Sequence, residues 1–543
     1  MALLPRLQAT MRRSFPLAVA AWLAAGPGTA VAATAAAPRV DVQGGTLEGV
    51  AAQVDGVALR EFQGIPYAAP PLGALRWKPP QPAPAWAGVR QATRFGPRCM
   101  QLPLFSDMVF RSDGMSEDCL YLNVWTPARA ADAKLPVLVY FYGGGFVGGD
   151  GSEPRYDGAH LAARGIVAVT VNYRLGAFGF LALPELAAES PRRAAGNYGL
   201  LDQAAALRWV QANIARFGGD PARITIGGES AGSISVSALM ASPQTRGLIA
   251  GAIGESGALI APIAPLPLAE AERRGAAFAR RVGAATLAGL RALPAETLLR
   301  ASDAEGHPAW QPDVDGDFLV EPPERTFARG AQARVPLLLG ANSQEGYYTA
   351  LLKDQPPTPA RYREVLQRLF GAQAAQALAL YPGGSEEEVK RSATALAGDL
   401  FIAHSTWRWM DLHRRSGAPV YFYWYAQPRP AKRHPEPGER PDAGAVHSGE
   451  IEYALDNLDG NAVYAWTPQD RAVSRLFAGY VAQFVRRGDP NGPELPAWPA
   501  VREQDGGLLR QTIAVDTRTE VDRGSARQAF LQAFFAAHPR RLP

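Results

Sequence analysis

Short apolar runs alternate with Ala- and Leu-rich stretches along most of the chain. Several of these runs are apolar throughout instead of at every second position, a pattern typical of strands covered on both faces. The clearest predicted strands are Pro136–Phe141, Ile166–Asn172, Ile224–Gly227, Val335–Leu339 and Val420–Tyr425. Helical stretches such as Leu200–Phe217 lie between them. This alternation predicts an α/β fold with a mostly parallel central sheet flanked by helices.

Two regions do not follow this alternation of strands and helices. Leu268–Ala301 predicts two helices separated by Pro294, because proline lacks the N–H needed inside a helix. We interpret this region as part of a helical cap, and we expect helical insertions at about 260–330 and 350–415 within a single domain. Gln427–Ala445 is rich in proline and charge and therefore predicts a long loop. Long ordered loops in compact domains are usually functional.

The N-terminus has the order of features found in export signals. Arg12 and Arg13 precede the apolar run Phe15–Ala25, and the small residues of Ala30–Ala32 form a cleavage pattern. The apolar run is shorter than the roughly 20 residues that span a bilayer. We therefore expect a signal peptide over residues 1–32, a catalytic domain over 33–543, and a secreted or periplasmic protein. The alternative is a disordered Ala-rich tail.

The start and the export route stay open. Translation from Met11 instead of Met1 would put the two arginines at the beginning of the signal. The arginine pair is compatible with a twin-arginine signal, but Pro16 favours ordinary secretion. No cysteine follows the apolar run, so we expect no lipid anchor.

Composition and charge narrow the class of function. The chain is 47% hydrophobic and 20% charged, which allows a core of normal size. Its net charge is +4, and it contains no Lys/Arg block of the kind that binds nucleic acid. No cluster of metal-ligating residues is visible in the sequence. We therefore expect no nucleic-acid partner, no metal and no cofactor, and the sequence does not indicate an oligomeric state.

The two cysteines of the chain, Cys99 and Cys119, are close in sequence. In an exported protein two such cysteines usually pair, and closing the loop would add about 3 kcal/mol of stability. The alternative is two buried free thiols. A catalytic cysteine is disfavoured because no cationic residue stands beside either one.

The strongest single motif is Gly228-Glu229-Ser230-Ala231-Gly232, which matches the G-x-S-x-G nucleophile elbow. It directly follows the predicted strand Ile224–Gly227 and opens a predicted helix ending near Ser242. Because this is the strand-turn-helix context of the elbow, we assign Ser230 as the nucleophile. The similar Gly254–Gly257 is followed by Ala258 instead of the final glycine, so Ser256 is interpreted as a structural hydroxyl near the site.

Three consecutive glycines, Gly143 to Gly145, follow the strong strand Pro136–Phe141. Glycines at a strand end allow backbone N–H groups to face the negative charge of a tetrahedral intermediate. We assign Gly144 and Gly145 to such an oxyanion hole, with the N–H of Ala231 as the third donor. The competing interpretation of these glycines is a phosphate-binding loop. It is disfavoured because neither G-x-G-x-x-G nor a Lys-Ser/Thr ending is present.

Seven histidines could serve as the base that activates the serine. His447 lies late in the chain, just after the long polar loop. The fold that carries a nucleophile elbow places its catalytic residues in the order serine, acid, histidine. Glu345 follows the predicted strand Val335–Leu339, which makes it the candidate acid that orients the imidazole. Asp313 and Asp315 are rivals that precede a weaker apolar run.

Taken together, these residues resemble the type-B carboxylesterase family, which includes the cholinesterases. The resemblance extends over nearly the whole mature chain. Its most specific segments are Gln63–Ala68, Ser116–Val124, Asn172–Phe180, Gly196–Gln203 and Phe217–Pro221. It implies the α/β-hydrolase fold, a Ser230–Glu345–His447 triad and a Cys99–Cys119 disulfide. It also implies that Arg76–Glu117 and Arg174–Asp202 are structural ion pairs.

Two positions differ from many relatives. Tyr142 stands where histidine often precedes the three glycines, a replacement that the family also contains. The segment from Cys99 to Cys119 contains no tryptophan, and Phe105 and Phe110 are its only aromatic residues. Cholinesterases stack a quaternary ammonium on a tryptophan in this loop, so cholinesterase activity is not expected here.

The function expected from the sequence is hydrolysis of small-molecule carboxylic esters through an acyl-enzyme on Ser230. An amide or carbamate hydrolase could use the same groups. A non-catalytic adhesion relative is disfavoured because Ser230, Glu345 and His447 are all present. The acyl and alcohol groups of the substrate cannot be read from the sequence.

Overall fold

A mixed sheet with twelve strands among the described residues organises the fold. The computed structural model describes residues 37–302, 310–436 and 441–538; the expected signal segment and His307 lie outside them. In chain order, the strands are β1 Arg39–Val42, β2 Gly45–Glu48, β3 Val50–Val54, β4 Val57–Pro66, β5 Val89–Gln91, β6 Tyr121–Thr126, β7 Leu135–Phe141, β8 Val167–Val171, β9 Gly219–Glu229, β10 Gly251–Glu255, β11 Leu266–Pro267, β12 Asp313–Val314, β13 Leu337–Asn342, β14 Val420–Tyr425, β15 Glu503–Gln504, β16 Gly507–Ile513 and β17 Arg518–Asp522.

The strand order of the large sheet is β15-β16-β14-β13-β10-β9-β7-β8-β6-β4-β3, with β17 paired to β16. Strands β8, β7, β9, β10, β13, β14 and β16 form a continuous parallel block. The outer strands β6, β4 and β3 on one side, and β15 and β17 on the other, are antiparallel to their neighbours. The parallel block predicted from the sequence is therefore confirmed, and antiparallel strands extend it at both edges.

Helices connect the parallel strands. They are α1 Ala159–Ala163, α2 Gly176–Phe180, α3 Pro184–Glu189, α4 Tyr198–Asn213, α5 Ala231–Ala241, α6 Leu268–Arg281, α7 Leu287–Ala292, α8 Ala295–Ser302, α9 Pro323–Ala328, α10 Tyr348–Leu352, α11 Pro359–Phe370, α12 Ala374–Leu380, α13 Glu386–Gly398, α14 His404–Arg414, α15 Ile451–Ala454, α16 Pro468–Arg487 and α17 Ser525–Ala537. A π-helical turn, Asp399–Ala403, joins α13 to α14. Among the described residues, no helix is both long and apolar enough to cross a membrane.

The central strands are buried on both faces, as their unbroken apolar patterns predict. Every residue of β8 and of β13 is buried. Strand β9 begins earlier than the apolar run Ile224–Gly227, because its backbone already pairs with β7 at Gly219. Strand β13 continues to Asn342, where it pairs with Tyr425 of β14. Backbone pairing thus extends strands beyond the residues whose side chains mark them.

The region Leu268–Ala301 contains three helices, where the sequence predicted two. The break at Pro294 is confirmed, since α7 ends at Ala292 and α8 begins at Ala295. The additional break follows Arg281 of α6. There the side chain of Thr286 accepts a hydrogen bond from the N–H of Gly289 and so starts a new helix.

Several predicted local contacts are present. The sulfur atoms of Cys99 and Cys119 lie 2.06 Å apart. Both ion pairs implied by the resemblance form with two hydrogen bonds each, Arg76 with Glu117 and Arg174 with Asp202. The described parts of the predicted loop, 427–436 and 441–445, contain no helix or strand.

Candidate active site

The sharp turn between β9 and α5 carries Ser230. Its backbone has φ 53° and ψ −120°, a region that residues other than glycine seldom adopt. The turn is held because the N–H of Ser230 donates to the carbonyl of Glu255, and its own carbonyl accepts from Ile234. A Cβ atom at Gly232 would lie only 2.0 Å from the carbonyl oxygen of Phe141. The final glycine of the motif is therefore required by close packing against β7.

Ser230, His447 and Glu345 lie in one line of contacts. Nε2 of His447 is 3.0 Å from Oγ of Ser230, and Nδ1 of His447 is 2.7 Å from Oε2 of Glu345. Glu345 is buried, whereas the side chain of His447 is 25% exposed. In the sequence, Glu345 lies 102 positions before His447 and Ser230 lies 217 positions before it. The carboxyl ends of parallel strands bring the three residues together.

The loop that carries His447 is attached to the end of β13. Gln344 donates its N–H to the carbonyl of Ala445, at 2.8 Å. The side-chain amide of Asn342 donates to the carbonyl of Val446, at 2.7 Å. These bonds fix the residues immediately before His447 beside the residues immediately before Glu345. The imidazole and its carboxylate partner are therefore positioned by the same two hydrogen bonds.

Glu345 has further hydrogen bonds on the side away from His447. Its Oε1 accepts from the N–H of Asn342 at 2.7 Å and from Oγ of Ser256 at 2.5 Å. Ser256 is fully buried, as expected for a structural hydroxyl, and it lies next to the site. These donors fix the orientation of the carboxyl group that faces His447.

The glycine turn after β7 lies against Ser230. A Cβ atom built on Gly143 would lie 3.1 Å from Cβ of Ser230. Gly144 has φ +106°, and a side chain there would meet the carbonyl of Gly148 at 2.3 Å, so only glycine fits. Within the described residues, the N–H groups of Gly144, Gly145 and Ala231 donate to no protein acceptor. They are available to a ligand beside Ser230.

Tyr142 holds the beginning of this turn. Its ring stacks on Tyr173 with centroids 4.4 Å apart. Its hydroxyl donates to the carbonyl of Tyr173, and the hydroxyl of Tyr173 donates to the carbonyl of Tyr142. Tyrosine at this position is thus a buried structural residue of the turn.

Two buried carboxyl groups near His447 were not assigned from the sequence. Oε1 of Glu229 is 3.3 Å from Nε2 of His447, and Glu450 accepts from Asn342 at 2.5 Å. Burial raises the pKa of both groups. The charge of Glu450 raises the pKa of Glu229 further, and the charge of Glu345 raises the pKa of Glu450 further. Glu229 stands inside the nucleophile motif, and Glu450 stands three residues after His447. Their positions close to Ser230 and His447 were the only signals by which the sequence could have identified them.

His447 is surrounded by these carboxyl groups. Burial alone lowers the pKa of His447, but the negative charges of Glu229, Glu345 and Glu450 outweigh it and raise the pKa to about 9. The imidazolium is therefore strongly stabilised in this site. The raised pKa makes the neutral form of His447 a stronger base toward a neighbouring hydroxyl, but His447 can act as a base only after losing its own proton.

Phe401 of the π-helical turn covers one face of the site. Its ring meets the imidazole of His447 edge to face, with centroids 5.0 Å apart, and 48% of the residue is exposed. π-helical turns inside longer helices frequently occur at functional sites. An exposed aromatic ring in contact with His447 provides an apolar surface for a bound molecule.

The rival residues considered from the sequence lie elsewhere. Asp313 is fully buried, and its backbone pairs with the side chain of Asn197. Asp315 accepts from the backbone of Leu319. Neither carboxylate bonds to His447, whose carboxylate hydrogen-bond partner is Glu345. His404 and His413 are buried in α14.

Comparisons with known proteins indicate the family of the chain. The profile of the Carboxylesterase family matches residues 36–529. A fumonisin B1 esterase of Sphingopyxis macrogoltabida is 37% identical over 84% of this chain and 83% of that protein. A para-nitrobenzyl esterase of Bacillus subtilis (strain 168) is 35% identical over 86% of this chain and 92% of that protein. The solved structure of a PNB esterase superposes with a TM-score of 0.74 at 34% identity, covering 91% of this chain and 99% of that one.

The sheet order and the structural neighbour define an α/β-hydrolase. The chain belongs to the Carboxylesterase family, and it is a carboxylic ester hydrolase. The resemblance noted in the sequence is therefore confirmed, together with the fold that it implied.

Proposed function

We propose that this protein hydrolyses small-molecule carboxylic esters through an acyl-enzyme on Ser230. The observation that carries the proposal is the line of contacts from Oγ of Ser230 through His447 to Glu345. His447 takes the hydroxyl proton through Nε2 while Oγ attacks the ester carbonyl carbon. The negative charge passes to the former carbonyl oxygen, where Gly144, Gly145 and Ala231 donate their N–H groups.

The second half of the reaction reuses the same groups. His447 gives its proton to the leaving alcohol oxygen, and the carbon–oxygen bond to the alcohol breaks. A water molecule then loses a proton to His447 and attacks the acyl carbon, which releases the acid and restores Ser230. Glu345 orients the imidazole and stabilises its cation in both halves of the reaction.

We infer that the substrate carries an apolar group beside the ester. The exposed ring of Phe401 next to His447 supports an apolar contact there. Two relatives of similar identity are named for different compounds, fumonisin B1 and para-nitrobenzyl esters, so neither name selects the substrate of this chain.

An activity panel tests the reaction class. The protein should cleave p-nitrophenyl esters, with kcat/KM changing along a series of increasing acyl length, and Ser230→Ala should abolish cleavage. Matched p-nitroanilides separate an esterase from an amide hydrolase, which would use the same residues. An organophosphate should label Ser230 alone in peptide mapping. A label on Ser256, or faster cleavage of the amides, would contradict the proposal.

We further propose that the protein is exported as a single catalytic domain. The arginine pair, the apolar run and the cleavage pattern of the N-terminus support removal of residues 1–32. From Ala37 onward the chain groups into one compact unit, which supports helical insertions within one domain and not a second domain. Intact mass of the protein from the culture medium or periplasm should give a chain that begins near Ala33.

A further inference from the structure

The segment between Cys99 and Cys119 lies against the glycine turn that contains Gly144 and Gly145. We call it the cysteine loop. Within it, Gln101 is buried, with 5% of the residue exposed. Its side-chain amide bonds to the backbone of Gly149 in both directions: Nε2 donates to the carbonyl at 2.8 Å, and Oε1 accepts from the N–H at 2.9 Å. The same Nε2 also donates to the carbonyl of Cys99, at 3.0 Å. The side-chain amide of Gln101 thus links the cysteine loop to the backbone of Gly149, with the hydrogen-bond pattern of a paired peptide group.

The two residues directly before Gly149 are connected to the proposed oxyanion donors through two hydrogen bonds. The N–H groups of Val147 and Gly148 both donate to the carbonyl oxygen of Gly144, each at 3.0 Å. A peptide unit is planar, so the direction of the Gly144 carbonyl also fixes the direction of the Gly145 N–H in the same unit. Whatever holds Gly148 and Gly149 in place therefore determines where the N–H of Gly145 points.

We propose that Gln101 is a positioning residue for the oxyanion hole. It holds Gly149, which fixes the closed turn from Gly144 to Gly148 and so aims the N–H of Gly145 at the substrate oxygen. The inference rests on the proposed function, because it assigns a role relative to the oxyanion donors. Gln101 itself does not touch the reacting atoms; it acts through the backbone of the turn.

The cysteine loop is attached to the same stretch of chain at a second place. Oγ of Ser112 donates to Oδ2 of Asp150 at 2.5 Å, and the N–H of Ser112 donates to Oγ of Ser152. Asp150 keeps a second donor, Oγ of Ser152, at 2.6 Å. Ser112→Ala therefore removes one buried bond between the same two segments without touching the turn. It is the matched control for Gln101.

The test compares Gln101→Met with Ser112→Ala and wild type. Methionine keeps the size of the side chain but forms none of the three hydrogen bonds. We expect kcat/KM for a p-nitrophenyl ester to fall by about 10- to 100-fold in Gln101→Met, because a misplaced donor loses part of its transition-state stabilisation. In Ser112→Ala it should stay within about twofold of wild type, although both variants lower the melting temperature.

A pair of ketone inhibitors separates positioning from general damage. Ser230 adds to the carbonyl of a trifluoromethyl ketone, its proton passes to His447, and the oxygen becomes an oxyanion. The matching methyl ketone binds without this addition. In Gln101→Met the trifluoromethyl ketone should weaken by the same factor as kcat/KM, whereas the methyl ketone should be unchanged. The acid limb of the pH profile should keep its position, because Gln101 does not contact His447.

Gln101→Glu provides a second variant if the methionine variant does not fold. It keeps an acceptor for the N–H of Gly149 but loses the donor to the carbonyls of Gly149 and Cys99, so an intermediate loss is expected. Wild-type affinity for the trifluoromethyl ketone in either folded variant would overturn the inference, and so would an equal loss in Ser112→Ala. Failure of wild-type protein to cleave esters would instead overturn the proposed function.

Discussion

Oε1 of Glu229 lies 3.3 Å from Nε2 of His447, the same nitrogen that approaches Oγ of Ser230 within 3.0 Å. The residue directly before the proposed nucleophile therefore contributes a carboxyl group to the environment of the proposed base. This contact is one of the causes that raise the pKa of His447 to about 9. It gives the site a pH dependence that differs from that of a histidine with one carboxylate partner.

Glu229→Gln should move the pH profile of the reaction toward acid. His447 must be neutral to accept the proton of Ser230, so kcat/KM rises with pH as the imidazolium loses its proton. Replacing a negative carboxylate by a neutral amide destabilises the imidazolium, so the pKa of His447 falls. The measurement is kcat/KM from pH 5 to pH 10, with the exposed Glu386→Gln as control. If the rise of kcat/KM with pH occurred at the same pH in Glu229→Gln as in wild type, Glu229 would be uncharged in the free enzyme.

Glu345→Gln should reduce kcat by orders of magnitude. The amide keeps the shape of the side chain but removes the charge that stabilises the imidazolium, and loss of the acid in other triads costs about 10⁴ in kcat. KM should change far less, because Glu345 lies behind His447. Asp313→Asn serves as the comparison and should leave kcat nearly unchanged. If Asp313→Asn lowered kcat by orders of magnitude and Glu345→Gln left kcat nearly unchanged, the acid of the triad would be misassigned.

Asp313→Asn should instead change the pH dependence of stability. Both carboxyl oxygens of Asp313 are buried without a hydrogen-bond partner among the described residues. Burial raises the pKa of Asp313 well above its ordinary value, and Asp315 and Glu272 raise it further. The neutral acid is favoured in the folded state, so wild type loses stability as the pH rises above the unfolded pKa of about 3.9.

The asparagine variant lacks this titration. The melting temperature of Asp313→Asn relative to wild type should therefore increase between pH 4 and pH 8, as measured by thermal unfolding. A difference that is constant over this range would show that Asp313 has the same pKa in the folded and unfolded chain.

Removal of the Cys99–Cys119 bond should destabilise the protein. A disulfide that closes a loop of this length contributes about 3 kcal/mol by restricting the unfolded chain. Cys99→Ser/Cys119→Ser should show that loss in denaturant unfolding, together with lower kcat/KM because the cysteine loop supports the glycine turn. Intact mass after alkylation without reductant checks the bond itself. Two alkylated thiols in exported wild-type protein would contradict it.

Local patterns in the sequence determined the parts of this protein that depend on neighbouring residues. Continuous apolar runs identified the central strands, because strands buried on both faces need apolar side chains at every position. The position of Ser230 followed from a strand, a small-residue turn and a helix within a few residues of one another. The additional break after Arg281 was missed, because a helix that ends and restarts within a helical pattern leaves a weak signal.

Contacts between distant residues were decided only by the tertiary structure. Glu345 and His447 are 102 positions apart, and sequence order and the family resemblance indicated them before their distance was known. No local pattern in the sequence indicated three contacts of the site. They are the approach of Glu229 to His447, the contact of the exposed Phe401 ring with His447, and the hydrogen bonds between Gln101 and Gly149. Each depends on how strands and loops far apart in the chain pack at one edge of the sheet, and packing of that kind is not encoded within a short window of sequence.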